Sequence, residues 1–252
     1  MKEVLLQFEN VSYESSNQGQ LKDLSFSVSK GENILFFGPE NSGLDLLSRV
    51  ILDFEEDFSG NVLYKSKSIR DFDYIEKHDY KKELGYLHSD YGLISNMSVV
   101  KNISLPLEYH SRKSIGEIKK QVDDIVREMR LDKCCELRPV FLTKSEILRT
   151  AFARATILDP DIIIVEHAFE GQSPLNIRSI LNKLKDRAIE EDKSVIFISY
   201  EPEIFTELVD KFVMLFEGEI VFMGGRDDFI NSDNEYLFQY KTMSSYGPMS
   251  II

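Results

Sequence analysis

Residues 33–49 contain two glycines, Gly38 and Gly43, between a short apolar run and the start of a helical pattern. A strand, a glycine-bounded loop and a helix form the context in which backbone N–H groups bind phosphate, with the pattern G-x-x-x-x-G-K-[ST]. Here Leu44 stands at the lysine position and Asp45 at the hydroxyl position. A leucine offers phosphate no positive charge. A carboxylate repels phosphate, and one pair of like charges about 4 Å apart costs about 4 kcal/mol at an effective dielectric near 20. The loop therefore predicts a nucleotide-binding fold whose nucleotide chemistry has been lost.

The degenerate loop extends over nine residues, which are the candidate positions for binding a cofactor. They are Gly38, Pro39, Glu40, Asn41, Ser42, Gly43, Leu44, Asp45 and Leu46. Asn41 is the expected substitute for a loop glycine where left-handed backbone is needed, so it indicates that the shape of the loop is kept.

Apolar runs elsewhere predict the sheet that positions this loop. Residues 162–165 and 195–198 are continuous rather than alternating apolar runs, and a helical pattern at 175–188 separates them. Such runs are typical of parallel strands covered on both faces. Residues 212–216 and 220–223 flank Glu217-Gly218 and predict a hairpin.

The segment between these strands predicts an inserted helical part. Ser114-x-x-Glu117 is a capping box ahead of one helix, and a second helix is expected at about 145–158. We therefore expect a single domain over 1–230, with a core at about 1–89 and 156–230 and a helical subdomain at about 90–155. Residues 231–252 have a loose composition typical of a tail beyond the domain, and they are a candidate dimer contact.

Composition excludes several classes of protein. A net charge of −13 argues against a general nucleic-acid binder. No apolar run approaches the ~20 residues of a membrane span, and the first residues do not form a signal peptide. Cys134 and Cys135 are adjacent, which does not make a metal site, and they are interpreted as ordinary cytosolic thiols.

Further motifs follow the loop in a fixed order. They occupy residues 142–146, 153–155, 158–167, 169–174 and 198–201. This order resembles the ATPase subunit of ABC transporters, which carries a P-loop, Q-loop, signature loop, Walker B strand, D-loop and switch residue. The resemblance runs from Tyr13 to about Gly225. It implies an α/β, P-loop NTPase-like (RecA-like) parallel core with an antiparallel β edge and the helical insert.

Within that family, three segments resemble the ATPase of Mla/MCE-type lipid transporters. They are residues 93–110, residues 169–174 and the end of the chain from Phe238 to Pro248. In that family the region corresponding to residues 86–110 receives the coupling helix of a membrane permease.

The resemblance also assigns roles to positions at which this chain departs from the family. Each of these residues replaces one tied to the chemistry: Ser89 (Q-loop glutamine), Glu166 (Walker B aspartate), His167 (catalytic glutamate), Ser173 (D-loop aspartate) and Tyr200 (switch histidine). Because phosphoryl transfer depends on positioned charge, we expect no active catalytic residue and no metal site here.

The signature loop is altered as well. It comprises Leu142, Thr143, Lys144, Ser145 and Glu146, and its second to fourth residues replace Ser-Gly-Gly. Thr143-x-x-Glu146 also predicts a capping box, which would occupy the helix N-terminus from within the chain. Tyr13 matches the aromatic residue that stacks on adenine in the family, but a packed surface tyrosine explains it equally well.

The sequence leads to a main functional hypothesis and two alternatives. The main hypothesis is a noncatalytic pseudo-ATPase subunit that docks on a membrane permease and pairs with an ATPase subunit as a homo- or heterodimer. Such a subunit would lie in the cytoplasm on the face of the inner membrane, with no nucleic-acid partner and no cofactor. One alternative is a slow, genuine ATPase that uses ATP and Mg²⁺. The other is a free-standing protein-interaction scaffold.

Overall fold

The computed structural model describes residues 2–15, 19–190 and 192–250, which form two β-sheets with helices around them. The strands are β1 Val4–Ser15, β2 Gly19–Ser29, β3 Asn33–Phe37, β4 Ser59–Tyr64, β5 Lys67–Ser68, β6 Leu84–His88, β7 Ile162–Glu166, β8 Ser194–Ile198, β9 Lys211–Phe216 and β10 Glu219–Gly224. The helices are α1 Leu44–Ile51, α2 Tyr74–Lys82, α3 Val99–His110, α4 Ile115–Glu128, α5 Lys144–Thr156, α6 Pro174–Glu190, α7 Arg226–Asn231 and α8 Glu235–Thr242.

The larger sheet has the strand order β10-β9-β3-β8-β7-β6 and is parallel except for the β9–β10 hairpin. Every residue of β3, β7 and β8 is buried. Their apolar runs are continuous because both faces of the sheet are covered. The predicted α/β fold class is confirmed, including the hairpin at the edge.

The smaller sheet is antiparallel, with the order β2-β1-β4-β5. Its buried residues share one core cluster with α1 and with one face of the larger sheet, represented by Ile34, Ile164 and Ile196. The opposite face of the larger sheet, represented by Leu35 and Ile163, packs with residues of α3, α4, α5 and α6. Because successive side chains of a strand point to opposite faces of the sheet, the buried residues of the larger sheet divide between two core clusters, one on each face.

The helical part consists of α3, α4 and α5. Two of these helices begin at the predicted capping boxes, with Ser114 before α4 and Thr143 before α5. In contrast, α2 lies in a polar, charged part of the sequence, for which no helix was predicted. A capping box formed by Asp73 and Glu76 begins α2, and Tyr80 is its one buried residue.

The C-terminal segment is packed, which differs from the loose tail expected from its composition. Leu237, Gln239 and Met249 are buried. The Gln239 side-chain amide pairs with the backbone of Met249, because Nε2 donates to its carbonyl oxygen (2.9 Å) and Oε1 accepts from its N–H (2.8 Å). The segment has few apolar residues among many polar ones, so its sequence gave little indication that it packs against the domain. Residues 251–252 of the predicted tail lie outside the described residues.

Across the described residues, no helix is both long and apolar enough to cross a membrane.

Candidate functional site

The glycine-bounded loop connects β3 to α1, and its two glycines are required by close backbone packing. A Cβ on Gly38 would lie 2.1 Å from the carbonyl oxygen of Leu215. Gly43 has φ +96°, and a Cβ there would lie 2.5 Å from the carbonyl oxygen of Gln20. Asn41 has φ 60°, the left-handed conformation expected from its type. The loop therefore keeps its shape through contacts with its own chain.

The side chain of Leu44 packs into the core of the protein. That side chain is only 2% exposed and belongs to the core cluster that contains α1 and the smaller sheet. Asp45, one residue later, is exposed. The residue at the expected lysine position is therefore part of the core, and a carboxylate occupies the first turn of α1.

Five of the predicted positions line one cavity of about 410 Å³. They are Asp45, Ser89, Glu166, His167 and Tyr200. Asp45 comes from α1, and the other four lie at or just beyond the carboxyl ends of β6, β7 and β8. These ends meet because neighbouring parallel strands finish at the same edge of the sheet, where α/β folds place their ligands.

Glu166 is the buried acid of this cavity. It is the last residue of β7 and is 2% exposed. Burial raises its pKa above the ordinary value, although the Tyr86 hydroxyl opposes this by donating to Oε2 at 2.5 Å. Sequence reasoning did not single out Tyr86. The feature that could have identified Tyr86 is its hydroxyl group within the short strand β6, which pairs in parallel with β7.

His167 lines the cavity beside Glu166. Its backbone is left-handed (φ 48°), and its ring centroid lies 4.2 Å from that of Tyr200 with the planes at 31°. Its Nδ1 is 3.8 Å from Glu170 Oε1, and its Nε2 is 3.6 Å from Asp45 Oδ1. The interaction with His167 lowers the pKa of Asp45 below its ordinary value. Among the described residues, Nε2 has no hydrogen-bond partner.

Tyr13 is held beside the cavity rather than in its lining. Its hydroxyl donates to Glu55 Oε2 (2.8 Å), and Arg49 Nε donates to Oε1 of the same carboxylate (2.7 Å). The ring packs against the core cluster around α1. These contacts agree with a packed tyrosine, and adenine stacking stays a prediction.

The signature loop lies away from this cavity and is satisfied within the chain. Thr143 and Glu146 form the predicted capping box, with Thr143 N donating to Glu146 Oε2 (2.8 Å) and Glu146 N donating to Thr143 Oγ1 (3.3 Å). Gln172 Nε2 donates to the Lys144 carbonyl (3.2 Å). Ser173 is exposed just before α6, where its Oγ accepts from Asn176 N (3.4 Å). Neither Ser173 nor the signature loop contributes to the cavity lining.

A second residue that sequence reasoning missed is Tyr240 of α8. Its hydroxyl lies within hydrogen-bond distance of the carbonyl oxygens of Gly38 (3.1 Å) and Tyr200 (2.7 Å). The C-terminal segment is therefore anchored to the loop and to the strand end that carry the candidate site.

Comparison with known proteins places the sequence in context. The ABC transporter family model matches residues 21–170. The methionine import ATP-binding protein MetN of Clostridioides difficile (strain 630) is 26% identical over 224 residues, which cover 89% of this chain and 70% of that protein. The sulfate/thiosulfate import ATP-binding protein CysA of Bacillus cereus (strain ATCC 10987) is 25% identical over 225 residues. That alignment covers 87% of this chain, and this chain spans only 61% of CysA.

Solved structures share the fold. CbiO1 of Clostridium perfringens, part of the ABC transporter complex cbiONQ, superposes with a TM-score of 0.80 at 19% identity and covers 92% of this chain and 93% of its own. The ATP-binding cassette MJ0796, in a dimer bound to ADP and Pi, gives a TM-score of 0.79 at 21% identity with 88% and 99% coverage.

Proposed function

Because this chain belongs to the ABC transporter family, we propose that it acts as a noncatalytic nucleotide-binding-domain subunit of a membrane transporter. The observation that supports the loss of catalysis most directly is the cavity at the strand ends. Its lining brings together Asp45, Glu166 and Glu170, and the one lysine or arginine among the described lining residues is Arg49. That guanidinium is bound to Glu55.

The family implies ATP and Mg²⁺, and the residues of this chain do not fit that pair. Leu44 is buried in the core, so the loop provides no ammonium group to the phosphates. A triphosphate would also lie beside the carboxylate of Asp45, and each like-charge pair at about 4 Å costs about 4 kcal/mol. Phosphoryl transfer needs positive charge around the γ-phosphate, which this arrangement lacks.

The signature loop also supports the proposed loss of catalysis. In the family this loop contacts nucleotide held by the opposing subunit. Here the first N–H groups of α5 are occupied by the capping box of Thr143 and Glu146, and side chains stand where glycines would let the backbone approach phosphate.

We further propose that the chain pairs with a second ATPase subunit and attaches to the membrane through a permease. The relatives named above are import proteins for methionine and for sulfate or thiosulfate. They are not Mla-type proteins, so a lipid cargo stays a prediction that depends on the sequence resemblance alone.

Phosphate release from Mg-ATP by the purified full chain tests the loss of catalysis. We expect release equal to that of a protein-free sample, and the same result for Glu166→Gln. A slow, genuine ATPase would instead release phosphate above background, and Glu166→Gln or His167→Ala would abolish that release.

Co-purification from the native membrane tests the transporter assignment. We expect a multi-span membrane protein and a second ATPase subunit to be recovered with the chain in fixed proportions. Recovery without any membrane protein would support a free-standing scaffold and contradict the proposal.

A further inference from the structure

Three side chains in the cavity form a compact cluster of metal-ligating groups. Asp45, Glu166 and His167 each offer one ligand atom, and these atoms all lie within 4.8 Å of one another. Ligands of one Zn²⁺ ion lie about 2.0–2.2 Å from the metal, so ligand atoms that share an ion are about 3–4 Å apart. A small rotation of Asp45, whose side chain is 58% exposed, would close the remaining gap.

The imidazole of His167 gives a second and independent indication of a ligand. Its side chain is only 8% exposed, and its Nε2 lies 3.6 Å from Asp45 Oδ1, beyond hydrogen-bond distance. Within the described part of the chain, that nitrogen has no hydrogen-bond partner. A buried polar atom without a partner is costly, and a bound cation facing it would remove the cost.

The surroundings of the cluster match those of protein metal sites. Glu170 Oε1 lies 3.8 Å from His167 Nδ1, on the other side of the ring, where a carboxylate favours the tautomer with a free lone pair on Nε2. The Tyr86 hydroxyl binds Glu166 Oε2 and fixes the orientation of that carboxylate.

We propose that Asp45, Glu166 and His167 bind a divalent transition-metal ion, with Zn²⁺ the best fit, in the absence of nucleotide. One imidazole and two carboxylates, with water completing the coordination, form a ligand set that suits Zn²⁺. Mg²⁺ prefers an octahedral shell of oxygen ligands and has little use for the imidazole. The ion would join the start of α1 to the end of β7, and its charge would offset the two carboxylates.

Metal titration of the full chain tests this proposal. The protein is freed of metal by a chelator, and Zn²⁺ binding is then measured by calorimetry and Co²⁺ binding by visible absorption. We expect saturation at one ion per chain, visible Co²⁺ bands, and a thermal midpoint raised by Zn²⁺. Asp45→Asn and His167→Gln should each weaken binding by at least about tenfold.

Two matched variants distinguish this cluster from other acids and histidines. His88→Asn removes a histidine that lines the same cavity, and Glu14→Gln removes an exposed carboxylate of β1. Both should bind Zn²⁺ as the wild type does. Asp45→Asn changes an exposed side chain and should fold normally, so a failed fold cannot explain its loss of binding.

Several results would overturn the proposal. They are the absence of saturable Zn²⁺ binding, unchanged binding in Asp45→Asn and His167→Gln, loss of binding in His88→Asn, and Mg²⁺ binding as tightly as Zn²⁺. None of these results bears on the proposed absence of ATP hydrolysis, which is measured with Mg-ATP in samples without Zn²⁺.

Discussion

At the scale of single residues, the proposed loss of phosphate binding depends mainly on Leu44 and Asp45. One has become part of the core and the other places a carboxylate in the first turn of α1. That carboxylate suits the helix dipole, so the helix end is stabilised by the group that repels a phosphate.

Changing both residues back to the family pattern should restore part of the lost binding. Asp45→Thr removes the repulsion, and Leu44→Lys supplies an ammonium group on a side chain long enough to extend out of the core in which Leu44 is buried. We therefore expect the double variant to show measurable affinity for a fluorescent ATP analogue. Turnover should stay near background, because His167 and Tyr200 still occupy the positions of the catalytic glutamate and the switch histidine. Asp45→Thr alone is the control and should give a smaller gain in affinity. Phosphate release at the rate of an active ABC ATPase from the double variant would show that the defect lies elsewhere.

The resemblance assigned roles in one site to Asp45, Glu166 and Tyr200, and all three line the cavity. The sequence did not give the contacts among the lining residues. The hydrogen bond from Tyr86 to Glu166 depends on the register of β6 against β7, and the burial of Leu44 depends on packing beneath α1. Neither property is encoded in local spacing.

At the scale of elements, the loop between β3 and α1 is maintained by packing against its own chain. The carbonyl of Leu215 approaches Gly38, and that of Gln20 approaches Gly43. The two glycines are therefore required by packing, whether or not the loop binds phosphate.

Gly43→Ala should therefore destabilise the protein strongly. Its φ of +96° is unfavourable for alanine, and the added Cβ would meet backbone at 2.5 Å. We expect the free energy of unfolding to fall by at least about 2 kcal/mol in urea denaturation.

Gly116→Ala is the matched control for this prediction. It lies in α4, where an added Cβ meets nothing within 4 Å. Because alanine is the better helix former, we expect a gain of roughly 0.5–1 kcal/mol. Equal effects of the two substitutions would contradict the packing argument.

Four helices were not predicted from the sequence: α2, α3, α7 and α8. The strands of the core were predictable because burial on both faces leaves unbroken apolar runs. The helix α2 buries only Tyr80 and so has no apolar periodicity, although its Asp73–Glu76 capping box was present in the sequence. For α8, the stabilising contacts are made with distant parts of the chain.

At the scale of the whole molecule, the core and the helical part are joined by a pair of histidines. His78 of α2 and His110 at the end of α3 lie 2.9 Å apart, Nε2 to Nδ1. Burial and the neighbouring charges of His78 and Lys82 lower the pKa of His110 below its ordinary value. The His78 ring is tilted against the His110 ring at 49°, and the Tyr109 ring makes an edge contact with it at 63°. Asp79 Oδ1 lies 3.9 Å from His78 Nδ1.

This pair should make the stability of the protein depend on pH. A histidine with a lowered pKa in the folded state binds fewer protons than in the unfolded state, so stability falls as pH drops below about 6.5. We expect the urea midpoint to fall between pH 7 and pH 5.5, and to fall less in His110→Asn. A wild type and variant with the same pH dependence would show that the pair does not contribute.

The central claim for the whole molecule is that an ABC transporter subunit has kept its fold while its own loop no longer holds a triphosphate. Calorimetric titration of the purified full chain with Mg-ATP up to millimolar concentrations tests this claim most directly. The account predicts no saturable heat of binding. Saturable, Mg²⁺-dependent binding that reaches one nucleotide per chain would contradict it.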